Sequence, residues 1–137
     1  MTSFTLDECA AILPLIRSIA AEIVERRNQR RELDRTRTQL ETATTPEGLA
    51  ESLADLDARI FEHDTALHRA THELELMGLI LLRTDPLTIH FPGRARSGEV
   101  VFCWQEGEPS ICHGHAPGEE EEPRRPLMVR VVDAHKP

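Results

Sequence analysis

The chain of 137 residues is one domain's worth, enough for a single modest core. Its net charge of −8 argues against a general nucleic-acid binder, because phosphate affinity needs a net basic surface. No apolar run approaches the roughly 20 residues of a membrane span. The first residues lack the basic and apolar regions of a secretion signal, and three cysteines (Cys9, Cys103, Cys112) are an odd set that fits free thiols in a reducing compartment. A cytoplasmic protein without a membrane segment is the expectation.

Thr5 and Glu8 have the spacing of a capping box, so a helix is expected to start there. It runs to about Thr42 and contains Pro14, which removes a backbone hydrogen bond at a cost of about 3 kcal/mol; a kink or a short separate first helix is expected. Thr44 to Gly48 is a break, and Thr45 followed by Pro46 suits an N-cap with proline at the first helical position. The second helix, from about Pro46 to Met77, carries the strongest period in the chain. Leu49, Leu53, Leu56, Ile60, His63, Leu67, Ala70, Leu74 and Met77 alternate steps of four and three, an a/d seam with one polar interruption.

The first helix answers in the same rhythm with Ile12, Ile16, Ile19, Ile23, Arg26, Arg30, Leu33, Arg37 and Leu40. A short connection makes the pair an antiparallel hairpin. Folding about the break sets Leu33 near Leu56, Arg26 near His63 and Ile23 near Leu67, with an aliphatic half and an arginine-rich, wet tip. The arginine run from Arg26 to Arg31 faces Glu51, Asp55, Asp57, Glu62 and Asp64, so interhelical ion pairs explain it more simply than nucleic acid does.

Gly78 ends the helical pattern. Leu79 to Leu82 is a short apolar run, Asp85-Pro86 a turn, and Leu87 to Pro92 alternates like a strand. Gly93 to Gly98 reads as a polar loop and Glu99 to Gln105 as a strand. Glu106-Gly107 reads as a tight two-residue turn leading to a partner strand from Glu108 to His115. The glutamates that follow Pro117-Gly118 read as a solvated loop, Met128 to Val132 as an edge strand, and Ala134 to Pro137 as a frayed end.

The chemistry-bearing residues concentrate in this second part. On an extended strand His113 and His115 project from one face, about 6 to 7 Å apart at their Cβ atoms. That spacing suits two neutral imidazole ligands of one divalent metal: zinc, nickel, manganese or iron. His90 on the neighbouring strand is the expected third ligand, and Glu108 the expected catalytic base in a hydrolytic version. Asp85 is a further oxygen donor. A two-residue turn sets Cys103 opposite Ser110 with Cys112 diagonal to it, so that the thiols share a face; a slip of one residue reverses this. A cysteine within Val-Val-Phe-Cys-Trp also reads as simply buried. His68 and His72 share a helix face but lack the metalloprotease order, and His63 reads as a polar register device. Arg124 and Arg125 are candidate ligands for a carboxylate or phosphate. No phosphate-binding glycine loop, nucleophile elbow or dinucleotide fingerprint is present.

The segments FTLDECAAILPLIR (Phe4 to Arg17), His90-Phe91-Pro92, VVFCWQEGEP (Val100 to Pro109), His115 and RRPL (Arg124 to Leu127) carry a resemblance across nearly the whole chain. The chain resembles the bacterial family called domain of unknown function 2203. The resemblance implies that Trp104, Gly107, Glu108, His115 and Arg125 are family features. It also implies departures: the family shows aspartate at the place of His90, an aromatic at His113, an acid at Ala116, and glycine where this chain has glutamates and Pro123. Histidine for aspartate at position 90 keeps a metal-capable side chain. The family implies no substrate.

Together these readings give an α+β fold, residues 1–137 as one domain. A long antiparallel helical hairpin (1–78) packs on a small antiparallel sheet with an acidic loop and tail (79–137). The expected function is a metal- or anion-binding protein, with a hydrolytic version. The alternative is a non-enzymatic helical-hairpin interaction module. So thin a hairpin is expected to cover its apolar stripe with a partner, most simply as a homodimer.

Overall fold

The computed structural model describes residues 3–43 and 47–127. Helix α1 (Leu6–Ala43) and helix α2 (Leu49–Leu76) form the hairpin. Five strands follow: β1 (Ile80–Thr84), β2 (Leu87–Ala95), β3 (Gly98–Gln105), β4 (His113–His115) and β5 (Arg125–Pro126). Each pairs antiparallel with the next, so the sheet is a meander in the order β1-β2-β3-β4-β5. The α+β architecture with a helical hairpin is therefore as the sequence reads.

The capping box forms: the Thr5 N–H donates to Glu8 Oε1 (2.8 Å) and the Glu8 N–H to Thr5 Oγ1 (3.2 Å). Of the two outcomes expected at Pro14, a separate first helix does not arise; α1 runs through it without a break. The reason is burial. Leu13, Ile16 and Ile23 lie in the core around it, and large aliphatic side chains stabilise by about 1.5–3 kcal/mol each when buried. Their sum exceeds the roughly 3 kcal/mol that an interior proline costs. The expected Thr45 N-cap lies outside the described residues; α2 begins after Gly48 (φ 77°), which has no side chain to bond the first turn.

The end of α2 is a Schellman motif. The Gly78 N–H donates to the Glu75 carbonyl (2.9 Å) and the Leu79 N–H to the Leu74 carbonyl (3.0 Å), with Gly78 at φ 85°. Leu74 and Leu79 are both buried, which turns the chain directly into β1.

Across the hairpin Arg26 meets His63 (3.3 Å), Arg30 meets Asp64 (2.5 Å) and Arg37 meets Asp57 (2.7 Å). Leu33, Leu56 and Ile60 form a small satellite core near the tip. Ion pairing between the helices does not account for the whole arginine run. Arg27 reaches the sheet instead, donating to the Thr84 carbonyl (2.6 Å) and to Glu106 Oε1 (2.5 Å), and Arg31 pairs with Asp85 (2.6 Å). These contacts lock the middle of α1 to the turn ends of β1 and β3.

The sheet departs from expectation around two of its four connections. Residues 93 to 98 are not a loop: β2 continues to Ala95, which pairs with Gly98 across a two-residue turn. Gly93 permits this because a Cβ there would lie 2.4 Å from the Phe102 ring. Conversely, Glu106-Gly107 forms the expected tight turn, with Gly107 at φ 91°, but residues 108 to 112 are not strand. The Trp104 indole donates to the Glu108 carbonyl (2.9 Å), the Gln105 N–H to Glu108 Oε1 (2.8 Å) and the Glu108 N–H to the Gln105 carbonyl (3.1 Å). That closed loop, followed by Pro109 with no N–H to give a ladder, delays pairing until His113. The expected edge strand from Met128 to Val132 lies outside the described residues.

One face of the sheet holds Ile89, Phe91, Phe102 and Trp104 against Leu13, Ile16, Ala20 and Ile23 of α1 and Ala70 and Leu74 of α2. Alternation then fixes the other face, which carries Thr88 and His90 on β2 and Cys103 on β3.

Candidate metal centre

The register decides which side chains meet. His90 of β2, Cys103 of β3 and His113 of β4 occupy one cross-strand row, and His115 sits one step along, opposite Val101. Cys103 is thus opposite His113, not Ser110, and the expected pairing of Cys103 with Cys112 on one face does not arise from this ladder. Cys112 instead lies before β4, with its sulfur 3.2 Å from Ser110 Oγ. The long closed loop after β3 is the cause of the slip.

His90 (1% exposed), Cys103 (1%) and His115 (8%) are buried on this outer face. One ligand atom from each lies within 4.8 Å of the other two. The imidazole rings of His90 and His115 are 5.0 Å apart between centroids. His90 Nε2 has no hydrogen-bond partner. A buried unpaired ring nitrogen beside a second imidazole and a thiol is costly in itself, about 1–3 kcal/mol, and is the donor set a soft or borderline divalent metal takes.

The electrostatics keep the two imidazoles in their ligand form and the thiol protonated. Burial, then the charge of His115, depresses His90 to about 4. Burial lowers His115 as well, against the opposing influence of Glu120 and of the Glu119 backbone. Both rings are neutral at neutral pH, which is the metal-binding form. Burial raises the Cys103 thiol, and Arg124, whose Nη1 approaches the sulfur at 4.0 Å, partly opposes it. A metal must therefore displace a proton from Cys103 as it binds.

The other sequence-expected residues take different places. His113 shares the face but turns toward Glu108, its Nδ1 lying 3.6 Å from Glu108 Oε2 and making no hydrogen bond. Glu108 is clamped: Arg124 Nη1 donates to Oε1 (2.9 Å) and Nη2 to Oε2, while Oε1 also accepts the Gln105 N–H. Burial pushes its carboxyl up, but Arg124 and the Gln105 N–H outweigh that and hold it below the usual carboxylate value. Arg124 is accordingly a partner of Glu108 and Cys103, and Arg125 is exposed near Glu119 (3.9 Å). His68 and His72 lie along α2, lining an open cleft with Asp64, Thr71 and Glu75. Asp85 pairs with Arg31 and Arg27.

Cys103 is the member that spacing alone did not deliver. Its signal was parity: Phe102 and Trp104 both need the core, so the residue between them faces away, as does His90 between Ile89 and Phe91.

A family model described as Uncharacterized conserved protein (DUF2203) matches residues 2–127. The chain belongs to this family. No curated protein and no solved structure matches the chain. Residues 2–127 span both helices and all five strands, so the match takes in the hairpin and the sheet together. Among the described residues no helix is long and apolar enough to cross a membrane.

Proposed function

We propose that this protein binds one divalent transition-metal ion through His90, Cys103 and His115. The observation that carries this is the convergence of two neutral imidazoles and a thiol within 4.8 Å, one of them with a buried nitrogen that nothing else satisfies. A thiolate with two imidazoles favours zinc, with nickel and iron(II) next; manganese, which prefers oxygen donors, fits least. Three protein ligands leave a fourth position. A hydrolytic role needs that position open for water, and it needs a base other than Glu108, whose oxygens are engaged by Arg124 and the Gln105 N–H.

The test is metal content by elemental analysis of untagged protein, with cobalt substitution as the spectroscopic readout. Wild type takes up about one metal per chain, and cobalt gives a thiolate charge-transfer band. Cys103→Ser abolishes the band, His115→Ala abolishes stoichiometric binding, and His113→Ala retains both. Absence of metal after reconstitution with zinc, nickel, iron(II) and cobalt overturns the proposal.

A second reading, the hairpin as an interaction or homodimerisation module, draws on four large apolar side chains left exposed: Leu15 (54%), Phe61 (70%), Leu76 (74%) and Ile80 (51%). Sedimentation of wild type against Phe61→Ser with Leu76→Ser tests it: a dimer that dissociates in the double variant supports the module, and a monomeric wild type removes the homodimer.

A further inference from the structure

Arg124 reaches the three-residue cluster directly, and it arrives already paired. It stands just before β5, whose pairing with β4 (Gly114 with Arg125, His113 with Pro126) brings it beside Cys103 and Glu108. Its Nη2 donates to Glu108 Oε2, and its Nη1 donates to Glu108 Oε1 (2.9 Å) while lying 4.0 Å from Cys103 Sγ. Nη1 carries two hydrogens, so both contacts can be made at once. Glu108 in turn is fixed from β3: its Oε1 accepts the Gln105 N–H (2.8 Å), and its own N–H donates to the Gln105 carbonyl (3.1 Å). The side chains of Arg124 and Glu108 are 22% and 21% exposed, so the pair sits largely out of water. A chain of contacts thus runs from the Gln105 backbone through Glu108 and Arg124 to the sulfur.

We infer that Arg124 is a positioning residue of the metal centre: clamped by Glu108, it donates to the Cys103 sulfur once a metal has displaced the thiol proton to solvent. The inference rests on the metal site proposed above. A neutral thiol is a weak acceptor, which suits a contact as long as 4.0 Å. A thiolate is charged, and hydrogen bonds to charged acceptors are shorter and about twice as strong. Groups that hydrogen-bond to a ligand orient it and tune the metal it holds. Glu108 completes the arrangement in two ways. Its two oxygens fix the plane of the guanidinium, which a single bond would leave free to turn. Its charge cancels that of Arg124, so the sulfur gains a cationic donor with no net charge added beside a divalent ion. The glutamate that the sequence offers as a catalytic base thus acts one step removed from the metal.

The test loads wild type, Arg124→Met, Arg124→Lys and Arg125→Met with cobalt and records the thiolate charge-transfer band, with zinc affinity measured by competition against a chelator. Loss of the donor raises the energy of the sulfur lone pair. The band of Arg124→Met therefore moves to longer wavelength, and zinc binds at least about tenfold more weakly. Arg124→Lys keeps an ion pair with Glu108 but lacks the fork that spans carboxylate and sulfur, and its band moves in the same direction. Arg125→Met, altered at an exposed neighbour, matches wild type. A purely structural Glu108–Arg124 pair would lower stability in the variants and leave the band in place. Circular dichroism of the metal-free proteins checks the fold, and where Arg124→Met is misfolded Arg124→Lys decides. An unmoved band in the folded variant overturns the inference while the metal site stands. Wild type that binds neither cobalt nor zinc overturns both together.

Discussion

A buried ring nitrogen without a partner is a liability to the fold, and at His90 that liability has a size. Replacing His90 with leucine removes a nitrogen that is buried and unpaired. The penalty for such a group is about 1–3 kcal/mol, reduced by up to ~1 kcal/mol for the imperfect match of shape. Metal-free His90→Leu is therefore more stable than metal-free wild type at pH 7 by about 1–2 kcal/mol. At a typical unfolding entropy of about 2.1 cal/mol/K per residue, this chain gains roughly 3–7 °C in Tm.

The same residue sets a pH dependence. Its ordinary value is 6.5, and burial with the charge of His115 depresses it to about 4 in the folded protein. The unfolded chain takes up the proton first as pH falls. The neutral-ring contribution is thus fully present above pH 6.5 and is lost between 6.5 and 4, to an extent of about 3 kcal/mol. His90→Leu lacks this contribution, so its stability falls less steeply over that window. His115 remains in both proteins, and the difference between the curves isolates His90. Urea unfolding at several pH values in the presence of a chelator measures both effects. Zinc then reverses the order, stabilising wild type by mass action and leaving the variant unmoved. A variant less stable than wild type by more than ~1 kcal/mol at pH 7, with an unchanged acid slope, would refute the reasoning.

Four further outcomes follow from the packing. Gly93→Ala sets a Cβ 2.4 and 2.6 Å from the Phe102 ring and 3.0 Å from the Phe4 carbonyl; thermal denaturation registers a loss of about 1–3 kcal/mol, and an unshifted Tm contradicts the tight β2–β3 packing. Gly114→Ala brings its Cβ to 2.8 Å from the Val101 carbonyl, between the two histidines of β4, so it weakens cobalt binding as well as stability. Reaction with an aromatic disulfide reagent shows one fast thiol, Cys112. Cys103 and Cys9 are 1% and 0% exposed, and burial pushes Cys9 up to about 12, so both react only as the fold opens. Arg27→Ala removes the donor shared by the Thr84 carbonyl and Glu106 and lowers stability by about 1–3 kcal/mol in urea unfolding, whereas exposed Arg35→Ala moves it by less than ~0.5 kcal/mol.

Periodicity carried the helical half of this protein into view. The seam of α2 and the answering positions of α1 pair as the period demands, with Arg26 against His63 and Leu33 in one cluster with Leu56 and Ile60. Local chemistry likewise announced the capping box at Thr5 and the stop at Gly78. These features depend on neighbours within a few residues, or on a repeat long enough to average out exceptions. The proline at position 14 left a separate first helix open as an alternative because its cost is local while the burial that outweighs it is tertiary.

The sheet was legible as strands but not as pairings. Its register hangs on two turns, and each was decided by contacts that no local pattern encodes: the indole of Trp104 closing on the Glu108 carbonyl, and the Phe102 ring filling the space over Gly93. A different register at the second turn alters every cross-strand neighbour of β4. That is why His90 and His115 were visible as candidates while their companion Cys103 was not, and why His113 and Glu108 belong to an ion-pair corner with Arg124. By itself the sequence determined the residue types, the two-part architecture and the face each strand residue takes. Only the tertiary structure decided which of those faces' residues converge. Convergence depends on the lengths of loops closed by their own side chains, and those contacts exist only once the chain has folded.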